Sequence, residues 1–434
     1  MRRALLALLV LAGPASARTI AIRAGWLFDG TGDAPRKDMT IVVRDDRIVA
    51  VGPTASTPAP AGADTIDLGG AFVLPGLIDC HTHLASRADQ WDDILVFRQS
   101  PFYGAFAAVK NAEATLRAGF TTVRDVGSAP FLAVDLRESI NSGYLVGPRV
   151  VASGPAISQT GGHGDLNGYA PGVEVWMYKD ERDFAIADGV DQMRHVVRAQ
   201  LKHGVDVIKV IASGGVLSKT DQPGAPQLTI DELRAAVEEA HAAGRKVAAH
   251  AHGTQGIKNA ILAGVDSIEH GSLLDDEAIR LFLQRKTFLV ADIYNDDYII
   301  HQAPKYGLAP EHVDKEKLVG KLQRDSFARA VKAGVRLAFG TDAGVYPHGD
   351  NAKQFAYMVK FGMTPAAAIR AATGWAAELL GRTNDVGTVQ VGRYADVIAV
   401  TADPLTDVRA LESVAFVMKG GVVVKDELSR NPPR

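Results

Sequence analysis

Eight short apolar runs, each bounded by glycine or a turn residue, punctuate the middle of this 434-residue chain, and amphipathic stretches separate many of them. Shorter alternating runs of β-forming residues stand at both ends. With a length right for one large barrel, these patterns predict an α/β protein: a (β/α)8 TIM barrel with a small β-sandwich formed from both chain ends. The predicted boundaries are a leader over 1–17, sandwich segments over 18–72 and 383–434, and the barrel over 73–382.

The leader differs from everything after it. Arg2 and Arg3 precede an almost wholly apolar Ala4 to Ala12, and Ala15-Ser-Ala17 has the small-x-small form. That order is the order of a secretory signal peptide, too short to span a bilayer stably. Cleavage is expected after Ala17, giving an exported protein, periplasmic or secreted, with no membrane association afterwards. A net charge of −3 and the lack of a dense basic run argue against a nucleic-acid partner. Cys80 is the only cysteine, which rules out an internal disulfide. Composition leaves the oligomeric state open, a homo-oligomer included.

From Thr19 to Asp67, runs such as Ile20-Ala-Ile-Arg23 and Met39 to Arg44 alternate and break at Asp45-Asp46 and Gly52-Pro53, as antiparallel strands do. Asp396 to Val400, Val414 to Met418 and Gly421 to Val424 repeat the style at the other end. Each set is too small for its own core, so the two are expected to meet. The eight barrel strands are placed at Val73 to Cys80, Thr121 to Val126, Val150 to Ser153, Val207 to Ala212, Lys246 to His250, Asp266 to Glu269, Phe288 to Ile293 and Arg336 to Phe339. Helices are predicted between them, for example over Thr229 to Ala243, with Thr229 as N-cap and Gly244 beyond its end, and over Thr254 to Ala263, followed by Gly264. Gly161 to Arg182 reads as a long loop insertion, from which Trp176 and Tyr178 are placed to cover the barrel mouth.

Barrel enzymes carry their chemistry at the C-terminal strand ends. Strand one ends in His81-Thr-His83, and alternation along a strand turns both imidazoles to one face. An isolated pair of this kind is more often ordinary, but the other strands add to it. Lys209 lies within strand four, His250 ends strand five, His270 follows strand six and Asp342 follows strand eight. These six groups from five strands would converge on one mouth. Lys209, flanked by Val207, Ile208, Val210 and Ile211, is costly to bury as an ammonium and loses its proton readily in such a setting.

Pro-Gly-Leu-Ile-Asp-Cys-His-Thr-His, Ile-Lys-Val, Ala-His-Ala-His-Gly, Ile-Glu-His-Gly and Gly-Thr-Asp-Ala-Gly occur in that order. On these motifs the chain resembles the metal-dependent amidohydrolase superfamily in its binuclear form, over nearly the whole mature chain. The resemblance implies two divalent metal ions, zinc by the donor types. His81, His83 and Asp342 would bind the buried ion, His250 and His270 the more exposed one, and Lys209 would bridge them as its N6-carboxylated form. Two cations sharing a water lower its pKa from about 15.7 towards about 7. The resulting hydroxide is expected to attack an amide carbonyl, while Asp342 takes its proton and delivers it to the leaving nitrogen.

On the substrate side, His163 in Gly161-Gly-His-Gly-Asp165 is similar to the family histidine that contacts the substrate carbonyl or the oxyanion, and Tyr294 to a tyrosine that hydrogen-bonds the same oxygen. Tyr346-Pro-His348-Gly-Asp350-Asn351 would shape the leaving-group pocket, and Asp165, Asp296, Asp297 and Asp350 would make it acidic for a basic residue. His252 shares a face with His250 but departs from the ligand positions and reads as support for them. Histidines 195, 203, 241, 301 and 312 read as surface or packing residues.

These loops most resemble the Xaa-Pro dipeptidase-like group. It includes dipeptidases, carboxypeptidases and amidases that release phenylalanine from ochratoxin A. The implied substrate is therefore a small peptide or N-acyl amino acid. The rival readings are a cyclic amidohydrolase opening an imidazolone or hydantoin ring, a more distant lactonase or phosphotriesterase, and a metal-free interaction scaffold.

Overall fold

The structure, a computed structural model, describes residues 18–92, 94–128, 131–165, 167–170 and 182–428. The predicted leader and the predicted cover residues Trp176 and Tyr178 lie outside these. Among the described residues there are fourteen strands. Four come first: β1 (Thr19–Leu27), β2 (Arg36–Arg44), β3 (Arg47–Pro53) and β4 (Asp64–Pro75). Seven follow in the middle of the chain: β5 (Leu77–Thr82), β6 (Phe120–Asp125), β7 (Arg149–Ala152), β8 (Val207–Ile211), β9 (Lys246–Ala251), β10 (Ser267–His270) and β11 (Phe288–Val290). The last three are β12 (Val397–Val400), β13 (Phe416–Lys419) and β14 (Val422–Asp426).

The chain ends do meet, but in one continuous seven-stranded sheet of order β14-β13-β12-β4-β1-β2-β3. The link is β4, long enough to run parallel to β1 over Asp64 to Val73 and antiparallel to β12 over Phe72 to Pro75. A single apolar cluster, including Ile22, Ile41, Val73, Val397 and Phe416, serves both halves. The β2–β3 hairpin turns on Asp45-Asp46, with Asp45 at φ +53°, a left-handed conformation that Asp tolerates. Between Ala24 and Trp26 the register of β1 against β4 shifts, and a Cβ on Gly25 would stand 2.1 Å from the Gly69 carbonyl oxygen. Gly25→Ala is expected to cost about 1–3 kcal/mol as overpacking, read as a lower urea midpoint at unchanged slope.

In the middle of the chain the strands are parallel, in sheets of order β5-β6-β7 and β11-β10-β9-β8. The eighth predicted strand, Arg336 to Phe339, forms no regular strand of its own. It is nevertheless bonded on both sides: Leu289 N donates to Arg336 O at 2.8 Å, and Cys80 N donates to Phe339 O at 2.8 Å. It thus ties β11 to β5. Near the opposite edges, Asp206 N donates to Ala152 O at 2.7 Å and Ile157 N to Lys209 O at 2.8 Å.

Strand alternation sorts the side chains. Ile208, Val210, Val247 and Ala249 join the main apolar cluster with Leu233, Ile257 and Phe282 of the surrounding helices. Val207 and Ala248 instead meet Val126 and Val151 on the other face of the strands. Lys209 and His250 share that second parity and so leave the helix-facing layer. The helix Ile230–Ala242 starts in a reciprocal capping box, with Thr229 Oγ1 accepting from Glu232 N and Glu232 Oε2 accepting from Thr229 N. The helix Thr254–Ala263 stops at Gly264, whose φ is +99°. Both ends are as the sequence predicts. Among the described residues no helix is long and apolar enough to cross a membrane.

Candidate active site

β5 carries His81 and His83 to one side, and the Arg336–Phe339 run brings Asp342 against them. Asp342 Oδ1 lies 3.1 Å from His83 Nε2 and 3.5 Å from His81 Nε2. The remaining ring nitrogens are occupied: His81 Nδ1 faces Glu269 Oε2 at 2.8 Å, and His83 Nδ1 faces Gly127 O at 3.0 Å. With Nδ1 tied to the Glu269 carboxylate, His81 turns a bare Nε2 to the shared point. His83 donates from both nitrogens, to Gly127 O and to Asp342, and although burial opposes its charge, the Asp342 hydrogen bond raises it above the ordinary imidazole range. Burial alone would raise the Asp342 carboxyl, but the His83 hydrogen bond and the neighbouring imidazoles hold it well below the usual carboxylate range. Asp342 and His270 sit at φ +57° and +69°, backbone positions costly for non-glycine residues and concentrated at working sites.

A second group stands beside the first. Ligating atoms of His250, His252 and His270 lie within 4.8 Å of one another, as do those of His81, His83 and Asp342, and those of His270, Asp292 and Asp342. His270 Nδ1 faces Asp292 Oδ1 at 2.9 Å, and His252 Nδ1 faces Ser272 Oγ at 2.7 Å. His250 Nε2 is 3.3 Å from Gly214 O, which leaves its Nδ1 for the cavity. Burial pushes His81, His250 and His252 well below the ordinary imidazole range, so these rings are neutral and keep a lone pair to donate. Lys209 is buried with them, and its Nζ has no hydrogen-bond partner among the described residues. Burial lowers it to about 8. Neutral imidazoles, a carboxylate and an orphaned amine in one cavity fit a site for divalent cations.

Two charged residues that the sequence reading left aside hold this set in place. The buried Arg124 donates from Nε to Cys80 O at 2.5 Å, and from Nη2 to Glu269 Oε1 at 2.8 Å and Oε2 at 3.0 Å. Glu269 in turn fixes His81. A charge inside each of the apolar strands Phe-Thr-Thr-Val-Arg-Asp and Ser-Ile-Glu-His is the signal that could have found them.

The cavity is a cleft of about 410 Å³ lined by all six predicted ligands and by His163. Tyr294 is not among its lining residues. Its ring packs edge-on against Tyr346 and Tyr357, because the helix Asn295–His301 begins one residue later and carries it into that aromatic cluster. The predicted acidic pocket does not form from the four aspartates named for it, none of which lines this cleft. Asp296 and Asp297 pair with Arg324, Asp350 with Lys353, and Asp165 accepts from Gly161 N. The carboxyls that do line it, besides Asp342, are Asp292 and Glu316. His348 bonds the His83 carbonyl and Thr115, and thus braces β5. His252, read from sequence as support, stands inside the second imidazole group.

The Amidohydrolase family model matches residues 72–424. The chain belongs to the amidohydrolase family. It is similar to the ochratoxinase of Aspergillus niger, at 34% identity over 98% of this chain and 92% of that one. Among solved structures it is similar to a Xaa-Pro dipeptidase with methionine bound in its active site, at 38% identity and TM-score 0.85, covering 93% of this chain and 99% of that one. A prolidase complexed with N-methylphosphonate-L-proline shares 31% identity at TM-score 0.86, over 94% and 100% of the two chains. This amidohydrolase thus has relatives named ochratoxinase, Xaa-Pro dipeptidase and prolidase.

Proposed function

We propose that this amidohydrolase cleaves a peptide-like amide, in a dipeptide or an N-acyl amino acid, and releases a free amino acid. The observation that carries this reading is the pair of imidazole groups lining one cleft together with Lys209, whose buried Nζ has no hydrogen-bond partner among the described residues. We also propose that Arg336 to Phe339 completes the two parallel sheets as the eighth strand of a (β/α)8 barrel, with the terminal sheet (18–72 and 383–434) as a second unit. Residues 1–17 are proposed as an export signal, so the N-terminus of the mature protein would be residue 18.

His81, His83 and Asp342 would hold one divalent cation, and His250 and His270 a second. Lys209, carboxylated on Nζ, would reach both. Bound there, zinc ions supply a Lewis acid and a water of lowered pKa. The residues of the chain do the rest. Asp342, held anionic between imidazoles, takes the proton of the attacking water and returns it to the leaving nitrogen. Glu269 and Asp292 keep the His81 and His270 rings turned into the cleft.

A panel of dipeptides and N-acyl amino acids, set against hydantoins and imidazolones, tests the reading on zinc-reconstituted protein. Hydrolysis is expected for the linear amides that bear a free α-carboxylate, falling at least about tenfold on chelation and returning with zinc. Turnover of the cyclic amides alone would select the ring-opening alternative.

A further inference from the structure

Asn295 touches two of the three carboxyls that line the cleft, Asp292 and Asp342, and amide hydrolysis as described gives it no task. It is buried, the first residue of the helix Asn295–His301. Its Nδ2 donates to Asp292 Oδ2 at 2.7 Å and to Asp342 Oδ2 at 3.3 Å. The other oxygens of both carboxyls are engaged elsewhere. Asp342 Oδ1 faces the His81 and His83 rings, and Asp292 Oδ1 faces His270 Nδ1 and accepts from Gln323 Nε2 at 2.7 Å. The backbone fixes where the Asn295 amide stands. Asn295 N donates to Asp292 O at 3.3 Å, closing a turn just ahead of the helix. The side-chain amide of the buried Gln354 clasps that turn, donating from Nε2 to Ala291 O at 2.5 Å and accepting at Oε1 from Tyr294 N at 3.0 Å.

A primary amide carries two N–H hydrogens on one nitrogen, one for each carboxyl. Turned the other way, Asn295 would set its oxygen against carboxyl oxygens on both sides, so the contacts fix its orientation. Ligating atoms of Asp292 and Asp342 lie within 4.8 Å of one another and of His270, close enough for two carboxylates to repel. Among the described residues no other side chain is hydrogen-bonded to both. We infer that Asn295 is a positioning residue that spaces Asp292 from Asp342 and keeps the Asp342 carboxylate turned, Oδ1 to the His81 and His83 rings and Oδ2 to the Asp292 side. It acts through Asp342. Without it that carboxylate is free to rotate, and a misplaced group carries protons poorly however well the cations bind. Gln323 provides the contrast within the same cluster, since it is hydrogen-bonded to Asp292 but not to Asp342.

The consequence for turnover rests on the amide-hydrolase reading, whereas the orientation of Asp342 does not, so the two are measured separately. Asn295→Leu keeps the branched shape and loses both donors, and Asn295→Ala gives the same readings where the leucine protein does not fold. In crystals of the zinc-loaded variant the Asp342 carboxylate is expected to rotate or to divide between two orientations, against one in the wild type. With the best linear amide of the panel and saturating zinc, kcat should fall about 10- to 100-fold with KM nearly unchanged. Gln323→Leu strips Asp292 and spares Asp342. It should raise the zinc Kd about tenfold, as Asn295→Leu does, while lowering kcat of the zinc-saturated enzyme much less. An Asp342 carboxylate that stays in place in Asn295→Leu overturns the inference, as does full kcat in that variant or a loss of kcat that Gln323→Leu matches. A wild-type protein that hydrolyses no amide refutes the function proposed above, and the Asp342 orientation in the two variants then decides the inference by itself.

Discussion

Asp342→Asn is expected to lower turnover of a linear amide by about 10²- to 10⁴-fold, the span of a lost general acid–base group. Asparagine keeps the shape and one oxygen, and so can still face His83 Nε2, now 3.1 Å from Asp342 Oδ1. It cannot take up a proton. Metal content, measured by elemental analysis, should therefore change much less than kcat, and KM less still. Near-normal turnover in a metal-replete Asp342→Asn protein would remove the proton-shuttle role. A proportional loss of metal and activity would reduce Asp342 to a ligand.

Arg124→Met is expected to destabilise the fold by about 3–5 kcal/mol, the cost of stripping one partner from a buried ion pair. Arg124 and Glu269 are 1% and 0% exposed in their side chains, so bulk solvent does not reach the carboxylate that the guanidinium leaves behind. Glu269 would keep only Ser267 Oγ at 2.5 Å and the His81 ring. The variant should show a depressed urea midpoint. Its remaining folded fraction should bind zinc more weakly, because Glu269 is what turns His81 into the cleft. The double variant Arg124→Met/Glu269→Gln tests the cause: it should recover part of the loss, since the uncompensated charge is gone. An unchanged midpoint in Arg124→Met would mean the pair is not buried as described.

The six strand-end groups were legible because strand alternation and glycine-bounded ends are local signals. His81 and His83 need only a two-residue period to share a face, and His250 and Lys209 follow the parity of their own strands. Through-space partnerships were less legible. Arg124 and Glu269 are 145 residues apart, and neither run announces which strand the other will lie beside. Loop side chains were harder still, because their direction depends on where the next helix begins. Tyr294 turns into an aromatic cluster for that reason, and Asp296 and Asp297 turn to Arg324. The terminal strands read correctly as partners, but their union in one sheet depends on the length of β4, which the broken Asp64 to Val73 pattern conceals.

Crystals of the zinc-reconstituted protein, measured at the zinc absorption edge, test the central claim most directly. Two anomalous peaks are expected in the cleft, one touching His81, His83 and Asp342, the other His250 and His270, with Lys209 Nζ density extended by a carboxylate between them. A cleft without anomalous density, its imidazoles bonded only to protein and water around an unmodified Lys209, would contradict it.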